Sequence, residues 1–487
     1  MKKENHSLDA LILTGIRFMT LLINILSTAI LSKALSLEEF GTYTTGNLIV
    51  TTAANITILG MMDAANYFYH QSDLNRRDCI NTIAFLQILL GLACAVVIVL
   101  SGSSITAYFG NPMLGGIYAY IALRPLLENL SNSLLSLQMA IRKARAVGIQ
   151  NALFAIGKLA AILFTVTVTK DIRTVFGGYL LLDLGTVFYY YWNFKKAEFA
   201  IDPRACRKEL VAPVLRFAVP MGLYVMVNGL NRDLDKLVIG RFESTSLLAI
   251  YSNCAAPLPL GIVSAAFLTV IVPTMTKLIQ NDALERARRL FRDYLSIGFI
   301  STAILATACM VLSEETILLL YGEKYLPGKT VFLLYILVDL IKFANTSLVL
   351  SAKGRTKTLM SISFLMLLAN GVLNLVLHLL FGMIGPAIAT VAVSFAMTLV
   401  LLAFSGRILH AGFFDLVDWP VIGKTAISLV AVGACADGLR VWLRGNDIPY
   451  FLRLCVVGGA LCLALLLINW KRIRQLLQAV NHECKEK

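Results

Sequence analysis

Charge is scarce in this chain of 487 residues. Only 15% of positions are Asp, Glu, Lys or Arg, where soluble domains carry about 25%. Histidine occurs five times and proline twelve. A water-soluble protein of this size could not be covered by so little polar surface, which excludes an ordinary globular enzyme. The motifs of the common chemistries are missing too. There is no nucleophile elbow, no Gly-x-x-x-x-Gly-Lys-Ser/Thr phosphate loop and no pair of histidines at metal spacing. No polar segment is long enough to be a nucleotide-hydrolysing domain, so an ATP-driven pump is excluded and no cofactor or metal is expected. The nine cysteines lack any paired spacing and read as small apolar residues without a disulfide framework.

What the chain has in abundance is apolar length. Hydrophobic residues make up 58% and the mean hydropathy is +0.75. Runs of roughly 20 residues suffice to cross a bilayer. About fourteen such runs fall near 9–32, 42–68, 80–101, 115–139, 147–168, 174–193, 214–240, 247–275, 294–313, 330–351, 358–380, 384–406, 419–438 and 450–470. The fold expected is an all-α polytopic membrane protein of about 14 transmembrane helices. The first run is longer than a signal-peptide core and lacks a cleavage site, so it reads as a retained span. With both termini inside (N-in/C-in), Arg76, Arg77, Arg142, Lys143, Arg145, Lys353, Arg355, Lys357, Lys471, Arg472, Arg474 and the basic links 195–216 and 277–292 all gather on the cytoplasmic side. Basic loops facing anionic lipid account for the net charge of +14 without nucleic acid.

The longest polar link follows the sixth run. It divides the chain into a first lobe at 1–194, a cytoplasmic linker at 195–213, a second lobe at 214–410, and a C-terminal pair of spans with a tail at 411–487. A faint internal echo agrees. Ser36-Leu37-Glu38-Glu39-Phe40-Gly41-Thr42-Tyr43 corresponds to Ser244-Thr245-Ser246-Leu247-Leu248-Ala249-Ile250-Tyr251, each opening a small-residue helix after an outer turn. Repeated halves are a common construction in secondary transporters. Residues 281–290 predict a cytoplasmic helix capped by Asn281 or Asp282 and leading into the ninth span.

Ionisable residues inside apolar spans are costly and mark polar pathways. Here they are Arg17, Asp63, Arg124, Glu128, Lys158, Asp183, Asp339, Lys342 and the cluster Arg232, Asp233, Asp235, Lys236. Arg124 and Glu128 stand one helical turn apart and can pair; Asp339 and Lys342 can do likewise. Arg17 and Lys158 have no acid within a turn and are expected either to meet one from another helix or to face a cavity. The 232–236 cluster is balanced in sign and has no charged counterpart in the repeat, so it is expected to line or gate the second lobe, with phosphate contact falling to Arg17 and Lys158. Arg forks onto phosphate and Lys supplies a mobile charge. Asn228, Asn231 and Tyr224 offer hydrogen bonds to hydroxyls.

Four segments carry a resemblance. They are Leu31-Ser32-Lys33-Ala34-Leu35-Ser36-Leu37-Glu38-Glu39-Phe40-Gly41-Thr42-Tyr43; Leu215-Arg216-Phe217-Ala218-Val219-Pro220 with Asp235-Lys236-Leu237-Val238-Ile239-Gly240; Val272-Pro273-Thr274-Met275-Thr276-Lys277; and Tyr321-Gly322-Glu323-Lys324-Tyr325. In order and spacing the chain resembles the polysaccharide-biosynthesis flippases of the multidrug/oligosaccharidyl-lipid/polysaccharide exporter superfamily, nearest to the O-antigen and capsule repeat-unit type. The resemblance implies two six-helix lobes around a cavity that opens alternately to either face of a bacterial plasma membrane. It implies an undecaprenyl-pyrophosphate-linked oligosaccharide as cargo, flipped outward for O-antigen, capsule or exopolysaccharide assembly. A polysaccharide polymerase and glycosyltransferases would be its partners. Two readings stand beside it: a cation-coupled drug or metabolite exporter of the same superfamily, with Asp63 as the coupling acid, and a non-transporting membrane scaffold for glycan-assembly enzymes. A peptidoglycan-precursor flippase would need more arginine in its first span than Arg17 alone.

Overall fold

The computed structural model describes residues 6–71 and 75–485, apart from the side chains of 6–15, 17, 18, 269 and 481–485. Among the described residues there is no strand. Nineteen α-helices follow one another: α1 His6–Ala34, α2 Leu37–Thr57, α3 Met61–His70, α4 Arg76–Leu100, α5 Gly102–Phe109, α6 Tyr118–Ala140, α7 Ala144–Phe164, α8 Ile172–Ala197, α9 Lys208–Phe242, α10 Thr245–Cys254, α11 Ile262–Gln280, α12 Leu284–Val311, α13 Ser313–Leu320, α14 Lys329–Ile341, α15 Leu348–Ala352, α16 Thr356–Phe381, α17 Gly385–Ile408, α18 Trp419–Gly445 and α19 Tyr450–Lys485. Eight described segments are long and apolar enough to cross a membrane, and the bent pair α2 and α3 makes a ninth. One of the eight, Thr356–Ile408, holds both α16 and α17, which pack side by side. The protein is an all-helical, multi-pass membrane protein.

Three apolar runs that read as single spans are interrupted, each for a local reason. The run 42–68 breaks after Thr57, and α2 and α3 meet at a 41° bend. Gly60 carries the bend at φ +68, a conformation that costs an L side chain energy. The run 247–275 is cut by Pro257 and Pro259, and 330–351 by the polar stretch Asn345-Thr346-Ser347, where the Asn345 side chain accepts the Ser347 N–H at 3.1 Å. Pro220 and Pro273 instead sit inside continuous helices, as does Pro125 in α6.

The chain divides into two compact units, the first ending at Ala249 and the second starting at Ile250. In the first, α6 packs against α2, α3, α4 and α8, while α7 lies against α1 and α8. Ser36 begins α2 with a capping box: its hydroxyl accepts from Glu39 N at 3.2 Å and the Glu39 carboxylate accepts from Ser36 N at 2.9 Å. Ser244, its partner in the sequence echo, accepts from Leu247 N at 3.2 Å. The echoed segments also touch, since a Cβ on Gly41 would fall 2.6 Å from Thr245 Cγ2. The link after α8 is docked on the start of α4. Asn81 Oδ1 accepts Asp202 N at 2.9 Å, and Arg207 pairs with Asp78 at 2.6 Å.

The second unit is built around α12, against which α11, α14, α18 and α19 all pack. Its heart is apolar, with Leu290, Phe291 and Tyr294 buried. At the end where α12 gives way to α13, charge takes over. Glu315, 1% exposed, lies 3.5 Å from Arg453 and 3.7 Å from Arg440, and neighbouring Glu314 meets Lys329 at 2.7 Å and Arg444 at 2.9 Å. The helix predicted over 281–290 forms, yet it starts at Leu284 with Ala283 as its uncapped N-cap. Asp282 stands at φ +56 and closes α11 instead, where Ala283 N donates to Leu278 O at 2.9 Å.

A polar site inside the first unit

Three apolar helices of the first unit each carry a polar stripe at helical spacing. On α8 it runs Tyr179, Asp183, Thr186; on α7 it is Gln150 and Lys158; on α6 it is Arg124 and Glu128. Asn47 of α2 joins Arg124, Glu128, Gln150, Asp183 and Thr186 in lining a cavity of about 270 Å3, while Tyr179 and Lys158 stand outside that lining and reach it through Arg124. Arg124 is its centre. Arg124 Nε donates to Asp183 Oδ2 at 2.9 Å and Nη1 to Asn47 Oδ1 at 3.2 Å, with both charged side chains about nine-tenths buried. Among the described residues, Arg124 Nη2 has no protein partner. Gln150 donates to Thr186 at 2.6 Å, which fixes α7 against α8.

Tyr179 forms the second element. Its ring lies 5.2 Å from the Arg124 guanidinium and 5.6 Å from Lys158 Nζ, so the two cations share one aromatic platform. The hydroxyls of Tyr43 and Tyr179 stand 3.1 Å apart, which holds the ring. Lys158 makes no ion pair among the described residues. Its charge is steadied by the ring and is open to an anion.

The expected pairing of Arg124 with Glu128 does not form. Tertiary packing gives the guanidinium to Asp183, and Glu128 has no carboxylate-to-base contact within 4 Å among the described residues. Glu128 lies within electrostatic reach of Arg124, Asp183 and Arg232. On α9, Arg232 and Lys236 both contact Asp233, each at 3.3 Å, while the buried Asp235 accepts Lys236 N at 2.8 Å. Asn228 donates to its own helix at Tyr224 O, 2.8 Å away, and Asn231 lies one turn on. Asp63 sits half-buried in the first turn of α3 and does not line the cavity. Asp339 and Lys342 belong to the second unit, where α14 ends between them. Arg17 falls on α1, but its side chain lies outside the described residues.

The structure thus gathers Arg124, Lys158, Glu128 and Asp183, and adds Asn47, Tyr43, Tyr179 and Gln150, which charge-based reading of the sequence passes over. Their signal was present as polar residues three or four apart in helices otherwise apolar. No group of three His, Cys, Asp or Glu is placed to hold a metal among the described residues. Two cations on one aromatic ring, one of them with free donors, suit an anionic group with several acceptor oxygens.

Several known proteins resemble this chain. The Probable flippase AglR of Haloferax volcanii is 30% identical over half of this chain and 52% of its own length. The Lipopolysaccharide biosynthesis protein WzxC of Escherichia coli is 24% identical over 68% of this chain and 67% of its own. The chain therefore matches only about half to two thirds of those relatives. Among solved structures, the Lipid II flippase MurJ in an inward closed conformation has a TM-score of 0.72 at 14% identity, covering 95% of this chain and all of MurJ. A multidrug resistance MATE family transporter in its inward-facing conformation follows at 0.64 and 14%, covering 82% and 98%. These establish a shared fold. The Polysaccharide biosynthesis protein family matches residues 30–329, more than half of the sequence, and the chain belongs to that family.

Proposed function

We propose that the protein is a flippase that carries undecaprenyl-pyrophosphate-linked oligosaccharide repeat units from the cytoplasmic to the outer face of a bacterial plasma membrane, for assembly of a surface polysaccharide. It crosses the membrane about fourteen times with both termini inside. The lobes 1–194 and 214–410, joined by the linker 195–213, alternate their access, and 411–487 travels with the second lobe. The observation that carries the reading is the pair Arg124 and Lys158 on Tyr179. A pyrophosphate bound beside the Tyr179 ring, at the Arg124 edge of the cavity, accepts from the unused Nη2 of Arg124 and from Lys158 Nζ. Asp183 serves as the resting counter-ion and keeps the guanidinium aimed when the site is empty. Without it, a lone buried charge would cost several kcal/mol. Asn47 and Gln150 offer hydrogen bonds to sugar hydroxyls.

Deleting the gene should remove one surface polymer and cause its lipid-linked precursor to accumulate inside. Lys158→Ala, and Arg124→Ala combined with Asp183→Asn so that no lone buried charge remains, should reproduce that loss at unchanged membrane level. Normal polymer from both variants would refute the site.

A second reading is supported by Glu128 and Asp63, acids inside spans with no ion pair among the described residues. In a cation-coupled exporter these would carry the coupling ion. Glu128→Gln then abolishes dependence on a proton or sodium gradient; export that never depended on one removes this reading. A polymerase and glycosyltransferases are the partners that such a cargo requires.

A further inference from the structure

The second unit holds a cavity unrelated to the polar site. It measures about 450 Å3 and is walled by Leu350, Phe404 and Ile408, with Lys353, Arg355, Arg407 and His410 at its rim. Three chain reversals deliver these residues to one place, and each uses the same turn. A residue with positive φ follows the helix, and the next N–H reaches back to a carbonyl of the last turn: Asp282 after α11, Gly354 after α15 and His410 after α17. The closing bonds are Ala283 N to Leu278 O at 2.9 Å, Arg355 N to Leu350 O at 2.9 Å and Ala411 N to Gly406 O at 2.9 Å. The rim is therefore fixed by backbone geometry.

The charges at this rim are not neutralised. Among the described residues, Lys353, Arg355 and Arg407 make no ion pair, and Asp282 is the acid lining the cavity. The Arg407 guanidinium rests 5.3 Å from the Phe404 ring, which holds it over the apolar wall. These are the loops that the orientation proposed above places at the cytoplasmic surface, and the site rests on that orientation. It does not depend on which cargo the first unit carries.

We propose that this cavity binds the phosphodiester headgroup of an anionic phospholipid of the cytoplasmic leaflet. The bases take the phosphate, and the partly exposed Phe404 and Ile408, packed over the buried Leu350, take the glycerol and the first methylenes of the chains. The argument for a lipid over a free anion is the composition of the wall: a small ion would leave the apolar floor unused, whereas a phospholipid matches charge above and hydrocarbon below.

The test uses the full chain in nanodiscs and in detergent. Native mass spectrometry should show phosphatidylglycerol retained in preference to phosphatidylcholine. Lys353→Ala and Arg407→Ala should each weaken retention about fivefold, the effect of about 1 kcal/mol per base near a membrane surface. Asp282→Asn should strengthen it, a gain that misfolding cannot mimic. Equal retention of the two lipids, or no response to all three substitutions, overturns the proposal. Full displacement of phosphatidylglycerol by millimolar inorganic phosphate also overturns it, by making the site one for a free anion. Glycan export that fails while lipid retention behaves as stated refutes the flippase reading alone.

Discussion

Replacing Glu315 with Gln should destabilise the second unit more than any other single change to a charged residue there. Glu315 is 1% exposed and faces Arg440 and Arg453, whose side chains are 16% and 12% exposed. At 3.7 and 3.5 Å these are charge contacts more than hydrogen bonds; Arg440 also meets Asp437 at 2.9 Å, so the guanidinium that depends on Glu315 for compensation is that of Arg453. Removing one partner of a buried ion pair costs about 3–5 kcal/mol, because the charge left behind is not resolvated. For a unit of this size each kcal/mol shifts Tm by about 2–4 °C, so the drop should be about 6–20 °C. Glu314, 28% exposed against Lys329 and Arg444, gives the internal comparison: Glu314→Gln should cost about 1 kcal/mol or less. Thermal unfolding of the purified full chain, followed by intrinsic fluorescence, reads both. Adding Arg453→Gln to Glu315→Gln should restore part of the loss, since the uncompensated charge goes with it. A Glu315→Gln shift no larger than that of Glu314→Gln refutes the reasoning, and so does strict additivity with Arg453→Gln.

Other outcomes follow from the same geometry. The Lys329 ammonium hydrogen-bonded to Glu314 holds that carboxyl below the ordinary glutamate value. A folded-state pKa that is lowered gives stability present above the unfolded pKa and lost as pH falls through the folded one. Melting temperature should therefore fall below about pH 4.5, and Glu314→Gln should flatten that fall. Gly41→Ala would place a Cβ 2.6 Å from Thr245 Cγ2 and should cost about 1–3 kcal/mol by overpacking, measured as lost thermal stability. Ser36→Ala removes the capping box of α2 and should cost about 1 kcal/mol on the same assay. At the polar site, Arg124→Lys should retain part of the export that Arg124→Ala loses, since a point charge replaces the fork without its geometry.

Much of this architecture was legible in the sequence, because hydrocarbon length and scarce charge leave a chain few alternatives. The apolar runs at 80–101 and 214–240 became α4 and α9, and the basic residues Lys353 and Arg355 fell at a helix junction as loop residues should. What the sequence concealed was decided between helices. One-turn spacing offers Arg124 the acid on its own helix, but side-chain direction and packing gave it Asp183 from α8, which no local rule anticipates. The clamp at Glu315 joins residues more than a hundred positions apart. Its trace was two adjacent acids ending one apolar run and bases flanking another, at the same end of the bundle. The breaks at Gly60, at Pro257 and Pro259, and at Asn345 were written in turn-forming residues, but apolar neighbours masked them in any measure averaged over a span.

The central claim is that Arg124 and Lys158 handle the pyrophosphate of a lipid-linked oligosaccharide. It is tested most directly by reconstituting the purified chain in vesicles that carry such a lipid and measuring how fast its sugar becomes accessible to a lectin on the opposite face. The wild type should speed this above empty vesicles, and the Arg124→Ala, Lys158→Ala double variant, inserted to the same density, should be slower by at least about tenfold, the equivalent of one lost charge-assisted contact of about 1.4 kcal/mol. Equal rates for the two proteins would contradict the account.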